Sequence, residues 1–241
     1  MVEHLLAIDD VADDFEKILR WAIEFKRTWK NGDDVAQNFF PLDTLAIGSI
    51  YEKPSTRTRV SFEVGINRLG GYPLTLLKND IQLGKSESVS DTANVLSRFL
   101  GGITYRCFAH ADVSELAENA DVPVINALSD KHHPCQAAAD LMTIIEHFDD
   151  TEDLKVCWVG DGNNVLHDLM LACAMLGIDI HYAVPKGYEP DADVVQRTKD
   201  FAEKNGSKVV ETNDPVEAVT DAHVVYSDIF VSMGEEHMDC L

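Results

Sequence analysis

The chain has 241 residues, and 45% of them are hydrophobic, enough to build a core and too many for a disordered polymer. Its 42 acidic residues against 20 basic ones leave a formal charge of −22, a field that repels phosphate backbones and anionic membranes. A nucleic-acid or membrane partner is therefore not expected, and no run of 18 apolar residues suggests a membrane span.

The opening Met1-Val2-Glu3-His4 is not a secretory signal. Cys107, Cys135, Cys157, Cys173 and Cys240 form no CxxC pair, and their odd number argues against a disulfide framework. Reduced thiols in a cytoplasmic protein are expected. Acid pairs such as Asp9-Asp10, Asp33-Asp34 and Asp149-Asp150 suit solubility at high salt.

Helical spacing of Phe15, Ile18, Leu19, Ala22 and Ile23 predicts a helix from about Val11 to Lys30, stopped at Asn31-Gly32. Leu45–Tyr51 reads as a buried strand, followed by a Pro-Ser-Thr-Arg loop, a helix to about Leu69 and a Gly70-Gly71 stop. A strand near Pro73–Leu77 leads into a polar loop, Lys78–Glu87, and Ser90 is the expected N-cap of the next helix. Strands are expected at Ile103–Phe108 and Val122–Ile125, with a helix Asp112–Asn119 between them and another from Pro134 to about His147.

The apolar-free stretch Asp149–Asp153 marks the expected domain boundary. Beyond it, strands are predicted at Lys155–Val159, Ile178–Val184, Lys208–Val210 and Ala222–Ser227. They alternate with helices at Asn164–Leu176, Ala192–Lys204 and Asp214–Val219. Such alternation implies two consecutive α/β domains with parallel sheets, residues 1–148 and 149–241.

Ligands of open α/β sheets gather at the carboxyl ends of strands, and four polar motifs fall at such ends. Lys53-Pro54-Ser55-Thr56-Arg57-Thr58-Arg59 combines hydroxyls, arginines and helix N-terminal N–H groups, the ingredients of an anion site. A cap alone needs one hydroxyl. His132-His133-Pro134-Cys135-Gln136 opens a helix. Its two histidines and cysteine lack a fourth ligand at zinc-like spacing, so no metal is expected. Gly160-Asp161-Gly162-Asn163-Asn164 starts like a dinucleotide fingerprint. However, Val165 stands at the third glycine position, and Ala183-Val184-Pro185 supplies no acid for a ribose. A nucleotide-binding oxidoreductase is thus a weak reading. Asp228, after the last strand, could hold an ammonium or simply end a turn.

Together these motifs resemble the aspartate/ornithine transcarbamylase family. They comprise Ser55 to Glu63, His133 to Gln136, Asp161 to Asn164, and Ser232-Met233-Gly234. The last two, with Cys135, resemble the ornithine branch more than the aspartate branch. The resemblance implies a ligand site in an interdomain cleft, a trimeric assembly and no cofactor. It implies carbamoyl transfer from carbamoyl phosphate to the δ-amine of L-ornithine, giving citrulline and phosphate.

By the same resemblance, Ser55, Thr56, Arg57 and Thr58 would hold the phosphate. Arg106, His133 and Gln136 would contact the carbamoyl group, with Arg57, Arg106 and His133 as the catalytic set. Gln82 lies in a loop resembling one that reaches a neighbouring subunit's site. Asn164, Asp228, Ser232 and Met233 would bind ornithine. Phe230 stands where tryptophan is common, and Asp168 where serine often follows the motif histidine. The family continues past Ser-Met-Gly to an H-C-L-P motif and a final helix, so Cys240 is not given that cysteine's role. Two alternatives stay open: a carbamoyl-phosphate-binding protein without turnover, and a transcarbamylase acting on another amino acid.

Overall fold

The computed structural model describes residues 3–228 except Lys85. The chain divides into two compact units within one helix, between Ala139 and Asp140.

In the first unit, a 3-10 turn (Ile8–Val11) precedes α1 (Phe15–Lys30) and the short α2 (Asp34–Gln37). Then come β1 (Ala46–Tyr51), α3 (Thr56–Arg68), β2 (Tyr72–Leu77), α4 (Val89–Leu96) and β3 (Gly102–Arg106). Finally α5 (His110–Asn119) and β4 (Val124–Leu128) lead into α6 (Pro134–Phe148). The sheet is parallel throughout, in the order β2-β1-β3-β4. After β1 the chain adds a strand on one side, and after β2 it crosses to the other. The switch point of the sheet therefore lies between β1 and β3, where loops leave in opposite directions.

The second unit repeats the plan with β5 (Lys155–Val159), α7 (Asn164–Met175), β6 (Asp179–Ala183), α8 (Ala192–Asn205), β7 (Val209–Thr212), α9 (Pro215–Val219) and β8 (Val224–Ser227). Its parallel order is β7-β6-β5-β8, so its switch point lies between β5 and β8. The two predicted parallel-sheet α/β units are present.

Apolar residues on both faces of the parallel strands build the cores. In the first unit Ile103, Tyr105 and Cys107 pack with Val113, Leu116 and Val124. In the second, every residue of α7 from Leu166 to Ala174 is buried. Two of those buried residues, His167 and Asp168, are polar, and His167 Nε2 accepts from Asp191 N at 3.0 Å.

Several expected elements shift for identifiable reasons. Ser90 does not cap α4, because its hydroxyl donates to Asn119 Oδ1 at 2.8 Å. Ser88 takes the cap instead, with extended backbone and its Oγ accepting from Asp91 N at 3.0 Å. The helix expected from Val11 starts at Phe15. The carboxylate of Asp10 accepts from Leu6 N at 2.6 Å and Ala7 N at 3.0 Å, which turns the entry into a 3-10 segment. The strand expected at Val122–Ile125 is β4, starting two residues later and paired in parallel with β3, with a register shift between Tyr105 and Arg106. Residues 149–153 form a tight turn in which Asp149 and Asp153 adopt left-handed φ of 62° and 57°. The Asp150 carboxylate caps this turn by accepting from Thr151 N and Glu152 N. Among the described residues no helix is long and apolar enough to cross a membrane.

Candidate active site

At the switch point of the first unit, the basic run lies on the first turn of α3. Ser55 is the N-cap, and its Oγ accepts from Thr58 N at 3.3 Å. Thr56, Arg57 and Thr58 follow as the first helical residues, where unpaired N–H groups and the helix dipole favour an anion. Arg106 ends β3 across the switch point, only 5% exposed, and its Nη1 donates to Thr58 Oγ1 at 3.5 Å. This long bond ties the two sides together.

Arg106 Nε is buried without a hydrogen-bond partner among the described residues. Burial pulls the Arg106 guanidinium below its ordinary pKa, opposed by Tyr51 and reinforced by the charge of Arg57. A buried donor without an acceptor, beside a second cation, is an arrangement that an anion relieves.

The base of this loop is held by a residue that the motif reading passed over. Glu52, directly after β1, has a side chain only 6% exposed. Its Oε1 accepts from Lys78 Nζ at 3.1 Å and its Oε2 from Phe108 N at 3.0 Å, joining the ends of three strands. Lys53 Nζ lies over the Phe108 ring at 4.6 Å. An acid at a strand end, immediately before a basic run, is the signal that marks it. A cavity of about 590 Å³, lined in part by Lys53, Ser55, Thr56, Arg59 and Lys78, opens beside the loop.

His133 and Gln136 sit at the same end of the sheet, where β4 passes into α6. The loop before them is shaped by the buried Asn126, whose Nδ2 donates to Leu6 O at 2.9 Å and to His132 O at 3.2 Å. His132 is 2% exposed with its ring 5.1 Å from that of His110, and Cys135 Sγ donates to Asn126 O at 3.6 Å. Two of the three groups in the metal reading are thus used within the chain. Among the described residues no group of three or more His, Cys, Asp or Glu side chains is placed to hold a metal ion. Gln82 is exposed in the loop between β2 and α4, where its carbonyl accepts from Glu87 N at 3.4 Å.

The second unit carries a polar loop at its own switch point. Asn163 caps α7, and Asn164 is the first helical residue. Asp228, half-buried just after β8, accepts a hydrogen bond from Asn163 Nδ2. Trp158, wholly buried, donates from Nε1 to Asp161 O at 3.1 Å and stacks on Tyr226 at 5.2 Å. A cavity of about 370 Å³ here is lined in part by Gly160, Asp161, Val184, Asn213 and Asp228.

A Cβ at Gly162 would collide with Pro190 N and lie 2.6 Å from Tyr188 O, so the space near Gly162 is taken by the chain's own backbone. Ser232, Met233 and Phe230 lie outside the described residues.

Comparison with known proteins assigns the class. The aspartate/ornithine carbamoyltransferase carbamoyl-P binding domain matches residues 3–146, and the Asp/Orn binding domain of the same enzymes matches residues 152–239. The chain belongs to the aspartate/ornithine carbamoyltransferase family.

Within that family several ornithine carbamoyltransferases are similar to it. An ornithine carbamoyltransferase of Anoxybacillus flavithermus is 47% identical over 97% of this chain and 73% of its own length. A catabolic ornithine carbamoyltransferase of Thermoplasma volcanium is 46% identical over 96% of this chain and 74% of its own. The solved ornithine carbamoyltransferase of Pyrococcus furiosus, 46% identical, superposes with a TM-score of 0.92 over 97% of this chain and 74% of its own.

Proposed function

We propose that the protein transfers the carbamoyl group of carbamoyl phosphate to the δ-amine of L-ornithine, giving L-citrulline and phosphate. The observation that carries this reading is the pairing of Arg106 with the first turn of α3 across the switch point. A buried, under-satisfied guanidinium faces a helix N-terminus whose hydroxyls and N–H groups suit a phosphate.

In this reading Ser55, Thr56, Arg57 and Thr58 bind the phosphate, while Arg106, His133 and Gln136 bind the carbamoyl group. The neutral amine attacks the carbonyl carbon, a C–N bond forms, and the C–O bond to phosphate breaks. Negative charge grows on the carbonyl oxygen and then on the departing phosphate, and Arg57, Arg106 and His133 stabilise both. Fixed donors of this kind are each worth on the order of 10²–10³ in rate. The leaving phosphate takes the amine's proton, so the chemistry requires no separate protein base.

Residues 1–148 form the carbamoyl phosphate domain and 149–241 the ornithine domain. Asn164, Asp228, Ser232 and Met233 hold the amino-acid portion. The assembly is a homotrimer in the cytoplasm, and Gln82 reaches a neighbouring subunit's site. The acidic composition adapts the protein to high salt.

A colorimetric citrulline assay, run with ornithine and with its shorter and longer homologues across a salt series, tests the reading. Citrulline formed from ornithine supports it. Carbamoyl phosphate binding by calorimetry without any carbamoylated product would replace it with a binding protein. Product from another amine alone would replace the substrate.

A further inference from the structure

The bond that crosses the switch point of the second unit has a donor without an assigned task. Asn163 has extended backbone, φ −103° and ψ −176°, immediately before α7. Its Oδ1 accepts from Val165 N at 3.0 Å and Leu166 N at 3.3 Å. These bonds fix the plane of the amide, and its Nδ2 end donates to Asp228 Oδ2, 65 residues further along the chain. The loop cannot drift away. Trp158 holds Asp161 O from one side, and Gly162 N donates to Tyr188 O at 2.7 Å on the other.

From these bonds we infer that Asn163 is a positioning residue for the second substrate, orienting the Asp228 carboxylate toward an ammonium group. The inference rests on the reading of Asp228 as the partner of ornithine's α-ammonium. The helix alone does not require an amide at this position, since serine, threonine or aspartate would cap it comparably. Serine and threonine lack the second arm, and aspartate would set a like charge against Asp228. Only the amide both accepts from the helix and donates to the carboxylate, and a donor fixed at Oδ2 sets the rotation of that carboxylate before substrate arrives.

The test is a double-substitution cycle on the full chain, with Kd for L-ornithine and for carbamoyl phosphate measured by calorimetry. Asn163→Ser keeps a good cap, so its melting temperature stays near that of the parent, while its Kd for ornithine rises about 10-fold, as for a lost hydrogen bond to a charged group. Its Kd for carbamoyl phosphate is unchanged. In an Asp228→Asn background the same substitution costs nothing further, because Asn163 acts through Asp228.

Equal losses in both backgrounds, or no loss in the parent, overturn the inference. Asp228→Asn binding ornithine as the parent does, or an unsubstituted chain that binds no ornithine, overturns the underlying reading instead. Should Asn163→Ser fail to fold, Asn163→Asp keeps the capping oxygen and carries the same cycle. Its loss of ornithine affinity is expected to exceed that of Asn163→Ser in the parent and to vanish in the Asp228→Asn background.

Discussion

The two units place polar loops at the same topological point and equip them oppositely. In the first, Arg106 reaches across to Thr58, which sets a buried cation beside the first turn of α3 and the charge of Arg57. In the second, Asn163 reaches across to Asp228, and an amide braces a carboxylate. In the proposed reading, one sheet plan gives an anion site and an ammonium site, according to which side chain stands at or just after the end of the strand beyond the switch. The fold sets where a ligand sits, and a few side chains set its charge.

Four substitutions probe that contrast, from the largest expected effect to the smallest. Asp228→Asn removes the charge but keeps the shape, and ornithine binding should weaken by about 2–5 kcal/mol, the range for truncating one partner of a buried charge pair. Carbamoyl phosphate affinity should hardly change, and equal weakening of both would erase the division of labour between the units. Arg57→Ala is the converse. It should weaken carbamoyl phosphate by about 1.5–3 kcal/mol, as expected for a hydrogen bond to a charged group, with the melting temperature near that of the parent. An unaltered carbamoyl phosphate Kd in a folded variant would move the phosphate elsewhere.

Gly162→Ala forces a Cβ against the backbone of residues 188–190 and should destabilise the protein by about 2 kcal/mol, as overpacking does. Chemical denaturation measures it, and a neutral result would mean the second loop is not pinned as described. Ser55→Ala removes the cap of α3 and should cost about 1 kcal/mol in the same experiment. A loss well above that would show the first loop to be more rigid than the second.

How much of this was legible in the sequence depends on chain distance. The proposed anion site is written in consecutive residues, so a basic hydroxyl run between a strand and a helix exposes it at once. Arg106 is not: on its own it is one arginine in an apolar strand, and only family resemblance or the pairing of β3 with β1 brings it to Thr58. Asp228 stands out by its place after the last strand, but its bond to Asn163 does not, because that bond spans 65 residues and depends on β8 lying beside β5. Local signals were also ambiguous where two similar residues compete. Ser88 and Ser90 are equal as caps in composition, and the choice is made by Asn119 on a neighbouring helix. The four-residue α2 (Asp34–Gln37) is too short for periodicity to reveal.

The indole of Trp158 has a use beyond holding the loop. The chain contains three tryptophans, and the other two, Trp21 and Trp29, lie together on α1 in the first unit. Replacing both by phenylalanine leaves a single emitter, wholly buried, hydrogen-bonded to Asp161 and stacked on Tyr226, two residues before Asp228. Such a protein carries its own optical gauge of the second crevice: a change in local field or stacking when that crevice fills alters the emission, while events confined to the first crevice leave the emission unchanged.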